Sequence, residues 1–251
     1  MAGTRHPVIG IYSTVYAGRY HPKHVIRLRQ ACTALGYDSY YLSGNPIQFP
    51  DKLAAVWILG GDGTIQRVIA AMQGAGIRCP IGITPLGTCN VIAREVGAHR
   101  YSQRGYFSVL ARWRVCSVYT GVQIADPAQS GNTIPFLMGI STGLDAACVH
   151  GVSLGLKRVI GRYAYLVSFL RIIYRASPAR SRPLVILRTH NAVYAGTGCI
   201  IMNSAYYAGP FRLLRTGVFD PGLTALIYSF SSIVDWLLFL VVLLFGRLLW
   251  H

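Results

Sequence analysis

Short apolar runs alternate with amphipathic stretches through the N-terminal part of the chain. Pro7 to Ser13 (PVIGIYS) predicts a buried first strand. His21 to Leu35 sets Val25, Ile26, Leu28, Cys32 and Leu35 at helical spacing and stops at Gly36, which predicts a helix with a glycine C-cap. Asp38 to Leu42 predicts a second short strand, and Ser43 to Pro50 is rich in turn formers. Leu53 to Leu59 is an apolar run that halts at Gly60-Gly61-Asp62-Gly63-Thr64. Ile65, Val68, Ile69 and Met72 then follow at i, i+3, i+4 and i+7, the spacing of a helix. Ile81 to Thr84, a Pro-Leu-Gly-Thr turn and a short helix from Asn90 repeat the order strand, turn, helix. Such alternation predicts a parallel sheet covered on both faces. Ligands bind beyond the strand carboxyl ends of such sheets, where both glycine turns would open onto one cleft.

The pattern changes after Arg112. Val115 to Ile124, Ile134 to Ile140, Leu184 to Thr189, Val193 to Met202 and Thr224 to Tyr228 are β-rich runs divided by Gly, Pro, Asn and Asp. One helical segment, Val159 to Tyr174, interrupts them. The chain therefore divides into an α/β domain over 1–112 and a β-rich domain over 113–251 with an apolar C-terminal stretch. The last stretch, Ile233 to Trp250, has an uncharged run from Trp236 to Gly246. That run is roughly 11 residues where about 20 are needed to span a bilayer. A core helix or a helix lying in the membrane interface fits better than a span, and Arg247 and the tryptophans at either end suit the interface.

The Gly60 to Thr64 turn is the strongest candidate for chemistry. Glycines let backbone come close to a ligand with no Cβ in the way, and amides at a helix start point at an anion. A purely structural turn is the competing reading. Asp62 argues against simple phosphate binding, because its carboxylate would repel a phosphate unless a metal or a transferable proton is involved.

Composition narrows the partners. Lysine and arginine number 24 against 8 acids, a formal charge of +16, and Lys23, Lys52 and Lys157 are the only lysines. Acid–base or metal chemistry must draw on Asp38, Asp51, Asp62, Glu95, Asp126, Asp145, Asp220 and Asp235. So basic a surface favours nucleic acid or an anionic membrane. Nucleic acid lacks support, since there is no zinc spacing, no basic-region helix with heptads and no aromatic RNA-binding signature. The six cysteines are dispersed with no C-x-x-C pair, as in a reduced cytoplasmic protein, and the N-terminal apolar run is too short for a signal peptide.

Four blocks together resemble the catalytic region of the diacylglycerol kinase and sphingosine kinase superfamily, of the small bacterial lipid kinase type. They are Gly60 to Thr64 (GGDGT), Pro85 to Asn90 (PLGTCN) with the following Val-Ile-Ala-Arg, Gly143-Leu-Asp145-Ala, and Asn203 to Gly222. NAD kinases and phosphofructokinases share G-G-D-G, but the second block does not resemble theirs. The resemblance implies an α/β fold: an NAD-kinase-like (Rossmann-like) three-layer N-terminal domain, then a mainly antiparallel β-sandwich. It implies ATP-dependent phosphorylation of a lipid hydroxyl, of the diacylglycerol type, with Mg²⁺, at an anionic membrane surface. A sphingoid base or NAD as acceptor, and a relic that binds nucleotide without turnover, are the alternatives; a homodimer is left open.

By the same resemblance Gly60, Gly61, Asp62, Gly63, Thr64, Ile65 and Gln66 would form the nucleotide site, with Gly87, Thr88 and Asn90 from the second loop. Asp62 would orient the acceptor hydroxyl, take its proton or help place Mg²⁺. Helix capping would equally explain Thr88 and Asn90. Asp145 lies on the substrate side or holds the domain interface. Several positions depart from the family pattern. The Asn-Pro-x-Ser-Gly turn after the first strand is replaced by Ser13 to Gly18, with only the glycine kept. Ser43 is at best the counterpart of a family threonine, and Gln66 replaces an asparagine. In the metal segment Leu214 to Asp220, Thr216 and Val218 occupy acid positions and Asp220 alone remains, so a lost or weakened Mg²⁺ site is expected. The family continues with further strands and an Asp-Gly-Glu segment whose glutamate acts as base. Here the sequence reaches His251 with Glu95 its only glutamate, so an incomplete sandwich and impaired turnover are expected.

Overall fold

The computed structural model describes residues 6–15, 17–101, 105–112, 114–124, 133–161, 163–175, 185–207, 209–229, 234–235, 237–239 and 241. The chain forms two compact units: residues 1–118 with 122–135, and residues 119–121 with 136–251. The division thus falls beyond residue 112, and a segment after it returns to the first unit.

The first unit starts with β1 (Val8–Ser13), α1 (Pro22–Ala34), β2 (Asp38–Tyr41), β3 (Ala55–Gly60), α2 (Asp62–Gly74) and β4 (Ile81–Pro85). All four strands are parallel, in the order β2-β1-β3-β4. Every residue of β3 is buried, as a central parallel strand covered on both faces requires. Alternation along the strands sorts the core. Ile9, Ile11, Trp57 and Leu59 face α1 through Leu28, Ala31 and Cys32, together with Leu110 of α4 (Tyr106–Leu110). Val56 and Ile58 point the other way, and α2 contributes buried Ile65, Val68 and Met72. Gly36, at φ +77°, ends α1 as expected, its own amide reaching the Thr33 carbonyl and that of Tyr37 the Cys32 carbonyl.

One buried polar chain crosses this core. Trp57 Nε1 donates to Thr84 Oγ1 at 2.9 Å, Thr84 is in turn bonded to the Tyr106 hydroxyl, and that hydroxyl lies 2.9 Å from His24 Nδ1. The indole also occupies the space above Gly82, where a Cβ would come within 2.3 Å of the ring.

The order β2-β1-β3-β4 reverses between β1 and β3, since α1 carries the chain to one side and α2 to the other. The carboxyl ends of β1, β3 and β4 are where such a sheet leaves a crevice. Three loops meet there. The first glycine turn follows β3 and the second follows β4, ahead of α3 (Val91–Glu95). The loop after β1 is tied to the second by the Arg19 amide, which donates to the Leu86 carbonyl at 3.1 Å.

From Gly121 the chain forms β5 (Gly121–Ile124), paired with β6 (Thr133–Phe136). In the second unit follow β7 (Gly139–Thr142), α5 (Leu144–His150), α6 (Leu154–Ile160), α7 (Tyr163–Arg175), β8 (Val185–Arg188), β9 (Val193–Gly196), β10 (Gly198–Met202), β11 (Tyr206–Tyr207), β12 (Phe211–Arg212) and β13 (Thr224–Tyr228). Its sheets are antiparallel: β13-β10-β7, β8-β9 and β11-β12. Two predicted runs are each two strands, because Ile134 to Ile140 breaks after Phe136 and Val193 to Met202 breaks at Thr197. The single helical segment predicted is likewise two helices, broken at Gly161 (φ +59°). Residues 233, 236, 240 and 242–251 of the apolar C-terminal stretch lie outside the described residues. Among those described, no helix is long and apolar enough to cross a membrane.

Replacing Gly82 by alanine drives a methyl into the Trp57 ring and is expected to lower stability by about 1–3 kcal/mol, as overpacking does. Chemical denaturation of the variant against its parent measures this, and combining it with Trp57→Phe should recover part of the loss.

Candidate functional site

The first glycine turn is tighter than its sequence suggests. β3 ends at Gly60 and α2 begins at Asp62, so Gly61 alone joins them and Asp62-Gly63-Thr64 is the first turn of the helix. Local packing explains the first two glycines. A Cβ on Gly60 would lie 2.6 Å from Thr64 Cβ, and one on Gly61 would lie 2.8 Å from the Gly87 Cα. Gly87 returns the constraint, its own Cβ position falling 2.4 Å from the Gly61 Cα. The two turns therefore touch backbone to backbone.

Gly63 differs. It is exposed, and apart from its chain neighbours and its own helix's backbone no heavy atom lies within 4 Å of where its Cβ would be. Nothing in the chain requires a glycine there, and glycine within a helix is unfavourable relative to alanine. The α2 N-terminus is open, since Gly61, the N-cap, supplies no side-chain hydrogen bond. The amides of Thr64 and Ile65 are already used by the Gly61 carbonyl at 2.9 and 3.0 Å and that of Asp62 by its own carboxylate, which leaves the Gly63 amide of the first turn for an anion.

Asp62 points from the first turn into the second. Its Oδ1 accepts from the Ile92 amide at 3.0 Å, and the carboxylate sits among the amides of Asn90, Val91 and Ile92. It therefore caps α3 from another element. Burial pushes its pKa above the ordinary carboxylate value, and these amides partly oppose that rise.

Asn90 occupies the N-cap position of α3, in the left-handed region (φ 52°, ψ 48°), yet it does not cap the helix with its side chain. Its Oδ1 accepts from the Gly87 amide at 2.9 Å and its Nδ2 donates to the Gly87 carbonyl at 2.8 Å. Asn90 locks the turn into the shape that meets Gly61. The capping explanation is corrected for Asn90, because Asp62 takes that role. Thr88 is half-buried in the same loop.

Two further predicted residues turn away from a ligand. Ile65 is 1% exposed and belongs to the core, with its amide engaged by Gly61, so it offers a nucleotide neither side chain nor donor. Gln66 is half-buried and its Nε2 donates to the Pro135 carbonyl of β6. Helical spacing marked Ile65 as apolar and inward-facing, so the sequence held that signal. No local signal marked the partner of Gln66.

Asp145 and Asp220 lie in the second unit. Asp145 opens α5, accepts a hydrogen bond from the Tyr207 hydroxyl on Oδ1, and has its amide 3.4 Å from the Tyr228 hydroxyl. Burial first, then the Asp145 charge, raises the Tyr207 pKa far above that of a free phenol and pushes the Cys148 thiol up to about 12. Tyr207 lies in the fourth sequence block, but pattern alone did not pair it with Asp145. The Asp220 carboxylate closes a turn by accepting from the Gly217 amide at 2.8 Å, while Val218 is fully buried. Among the described residues no cluster of three or more His, Cys, Asp or Glu is arranged to hold a metal.

Residues 48–118 match the diacylglycerol kinase catalytic domain family, a stretch that includes β3, α2, β4, α3 and α4. No curated protein matches the chain. Among solved structures, a diacylglycerol kinase from Bacillus anthracis str. Sterne aligns with TM-score 0.65 at 18% identity, over 92% of this chain and 76% of that one. Two structures of candidate diacylglycerol kinases from the same strain align with TM-scores of 0.61 and 0.65 at 17% and 18% identity. They cover 88% and 93% of this chain, and 74% and 79% of their own. These matches bear out the superfamily resemblance and the mixed α/β fold expected from the sequence blocks. The kinase-type domain supports a phosphotransferase function.

The elevated Asp62 pKa has a defined sign in stability. The folded state holds the proton more tightly than the unfolded chain, so this contribution is full below the unfolded pKa and is lost as pH rises through the folded one. Asp62→Asn keeps an oxygen for the Ile92 amide and removes the buried charge. Thermal unfolding should show it no less stable than the parent at neutral pH, and without the parent's extra stabilisation on acidification. Gly61→Ala, by contrast, should cost about 1–3 kcal/mol by forcing the two turns apart.

Proposed function

We propose that the chain is a lipid kinase that transfers the γ-phosphate of ATP to a lipid hydroxyl, with a diacylglycerol-type acceptor. The observation that carries this reading is the open, uncapped start of α2 at Gly63, set against a second turn that Asn90 and Asp62 hold in place.

The residues present suit a triphosphate. Exposed Gly63 lets phosphate oxygens reach its own amide, and the half-buried Thr64 adds a hydroxyl beside Gly60. Thr88 offers another from the second loop. When bound, ATP supplies the phosphoryl group and Mg²⁺ neutralises its charge. A Mg²⁺ would enter with the nucleotide and draw on one carboxylate of the chain. Asp62 is the carboxylate this reading assigns to that role. Its Oδ1 accepts from the Ile92 amide, which holds the side chain in place, and it would also orient an acceptor hydroxyl or receive its proton. Phosphoryl transfer asks for little more than positioning and charge neutralisation, which rigid turns provide. The resemblance gives the Asp62 roles, and the geometry described is compatible with each.

Transfer from labelled ATP to mixed micelles of diacylglycerol tests the reading, with a sphingoid base and NAD as competing acceptors. Phosphate should appear on diacylglycerol, and Asp62→Asn should lower the rate by about a hundredfold or more. Equal rates in the variant and the parent would sink the assignment of Asp62. Because Asp62 is needed ionised, the acid limb of the parent's pH–rate profile should lie above the range of an ordinary carboxylate.

Gly63→Ala separates a ligand site from a structural turn. It should raise stability by about 0.5–1 kcal/mol through helix propensity. Its affinity for ATP, read by calorimetry, should fall by about tenfold or more, since a methyl enters the space the phosphates need.

A further inference from the structure

Helix α7 is apolar on two sides. Its inward side holds the buried Ala164 and Ser168 with the half-buried Tyr165, Phe169 and Ile172. Ser168 Oγ donates to the Cys148 carbonyl at 3.0 Å, and a Cβ on Gly151 would come within 2.8 Å of that oxygen, so α7 packs closely on α5 through its small face. Tyr163, Leu166, Val167 and Leu170 fall on the opposite side and are exposed, Tyr163 by 59% and Leu170 by 51%. Their spacing of three, four and seven residues gathers them into one outward stripe. Val159, on α6 just before, is 82% exposed. An amphipathic helix normally presents polar residues to water on its outer side, and here that side carries four large apolar ones.

We infer that α7 is a membrane-docking element, which lays this stripe into the headgroup region of an anionic bilayer. Charge selects that occupant. Between Asp145 and Asp220 the sequence holds no acid, while Lys157, Arg158, Arg162, Arg171 and Arg175 fall in and around the two helices. Arg171 is exposed at the border of the stripe. A second copy of the chain would bring another formal charge of +16 against this face, whereas anionic lipid would neutralise it. The geometry suits a helix lying flat: 13 residues extend about 20 Å, too short to cross, and a tyrosine at one end with arginine on the flank is the pattern of an interfacial helix. This docking deepens the lipid-kinase reading by naming how the site would reach a membrane-borne acceptor, but its test does not depend on turnover.

Flotation of the full chain with vesicles of phosphatidylcholine containing roughly 30 mol % phosphatidylglycerol, against phosphatidylcholine alone, provides the measurement. The parent should bind the anionic vesicles, release on addition of salt, and bind the neutral ones weakly. Leu166→Ser with Leu170→Ser should weaken binding to anionic vesicles by about tenfold or more, with an unchanged circular dichroism spectrum and melting temperature. Phosphorylation of a soluble short-chain diacylglycerol should be the same in parent and variant, so a failed kinase reading leaves the docking result intact. Equal vesicle binding by variant and parent overturns the inference, as does a parent that binds neither vesicle. It is equally overturned if the stripe instead joins two copies, seen as a dimer in sedimentation that the double variant dissolves.

Discussion

The close approach of Gly61 and Gly87 is the constraint on which the site rests. Two turns at the ends of neighbouring parallel strands meet with no side chain between them, because neither position tolerates a Cβ. The Leu86 amide extends the β3–β4 pairing to the Gly60 carbonyl, so the contact continues the sheet itself. Asn90 holds Gly87 with two hydrogen bonds, and Asp62 reaches across to the start of α3. Asn90 shapes its own turn, and Asp62 ties the first turn to the second. The outcome is one rigid edge built from two loops, which is what precise placement of a polyphosphate would need.

Part of this was legible in the sequence, and the reason is local. Strand, glycine turn and helix follow from hydrophobic period and glycine placement, both properties of a few adjacent residues. The parallel sheet, the Gly36 cap and the two glycine turns at strand ends follow in the same way. Long-range partnerships were not legible. Asp62 capping α3, Gln66 reaching Pro135, Tyr207 meeting Asp145 and the chain from Trp57 to His24 all join residues far apart in sequence. Nor did periodicity reveal which side of α7 is buried. Its pattern shows an apolar stripe, but only packing shows that the stripe points outward.

In the second unit, Tyr228 performs a task like that of the glycine contact. Its ring fills the space over Gly198, where a Cβ would lie 2.2 Å away, and its hydroxyl donates to the Thr142 carbonyl at 3.2 Å and approaches the Asp145 amide. Gly143, at φ +82°, lets β7 turn into α5 beside the same hydroxyl. Asp145 thus takes its position from tyrosines of β11 and β13 and from the start of α5. That supplies a packing reason for the Gly-Leu-Asp-Ala block, independent of any substrate. A half-buried tyrosine–carboxylate pair is costly to break from one side, since the remaining partner loses its hydrogen bond.

Asp62 has a structural role that the hydrogen bonds show and, under the proposed function, a chemical one. An asparagine or serine could cap α3 nearly as well and at less cost, because neither carries a charge out of water. Burial does disfavour the carboxylate here, as its raised pKa shows. The amides of residues 90–92 recover only part of that penalty. A residue more costly than its structural job demands is best explained by a second job that needs its charge. The same reasoning singles out Gly63, where alanine would favour the helix and, apart from its chain neighbours and its own helix's backbone, no protein atom stands in its way. Two locally unfavourable choices lie side by side in the first turn of α2, at the carboxyl edge of a parallel sheet. Under the proposed function, an anion with its cation in front of them would account for both.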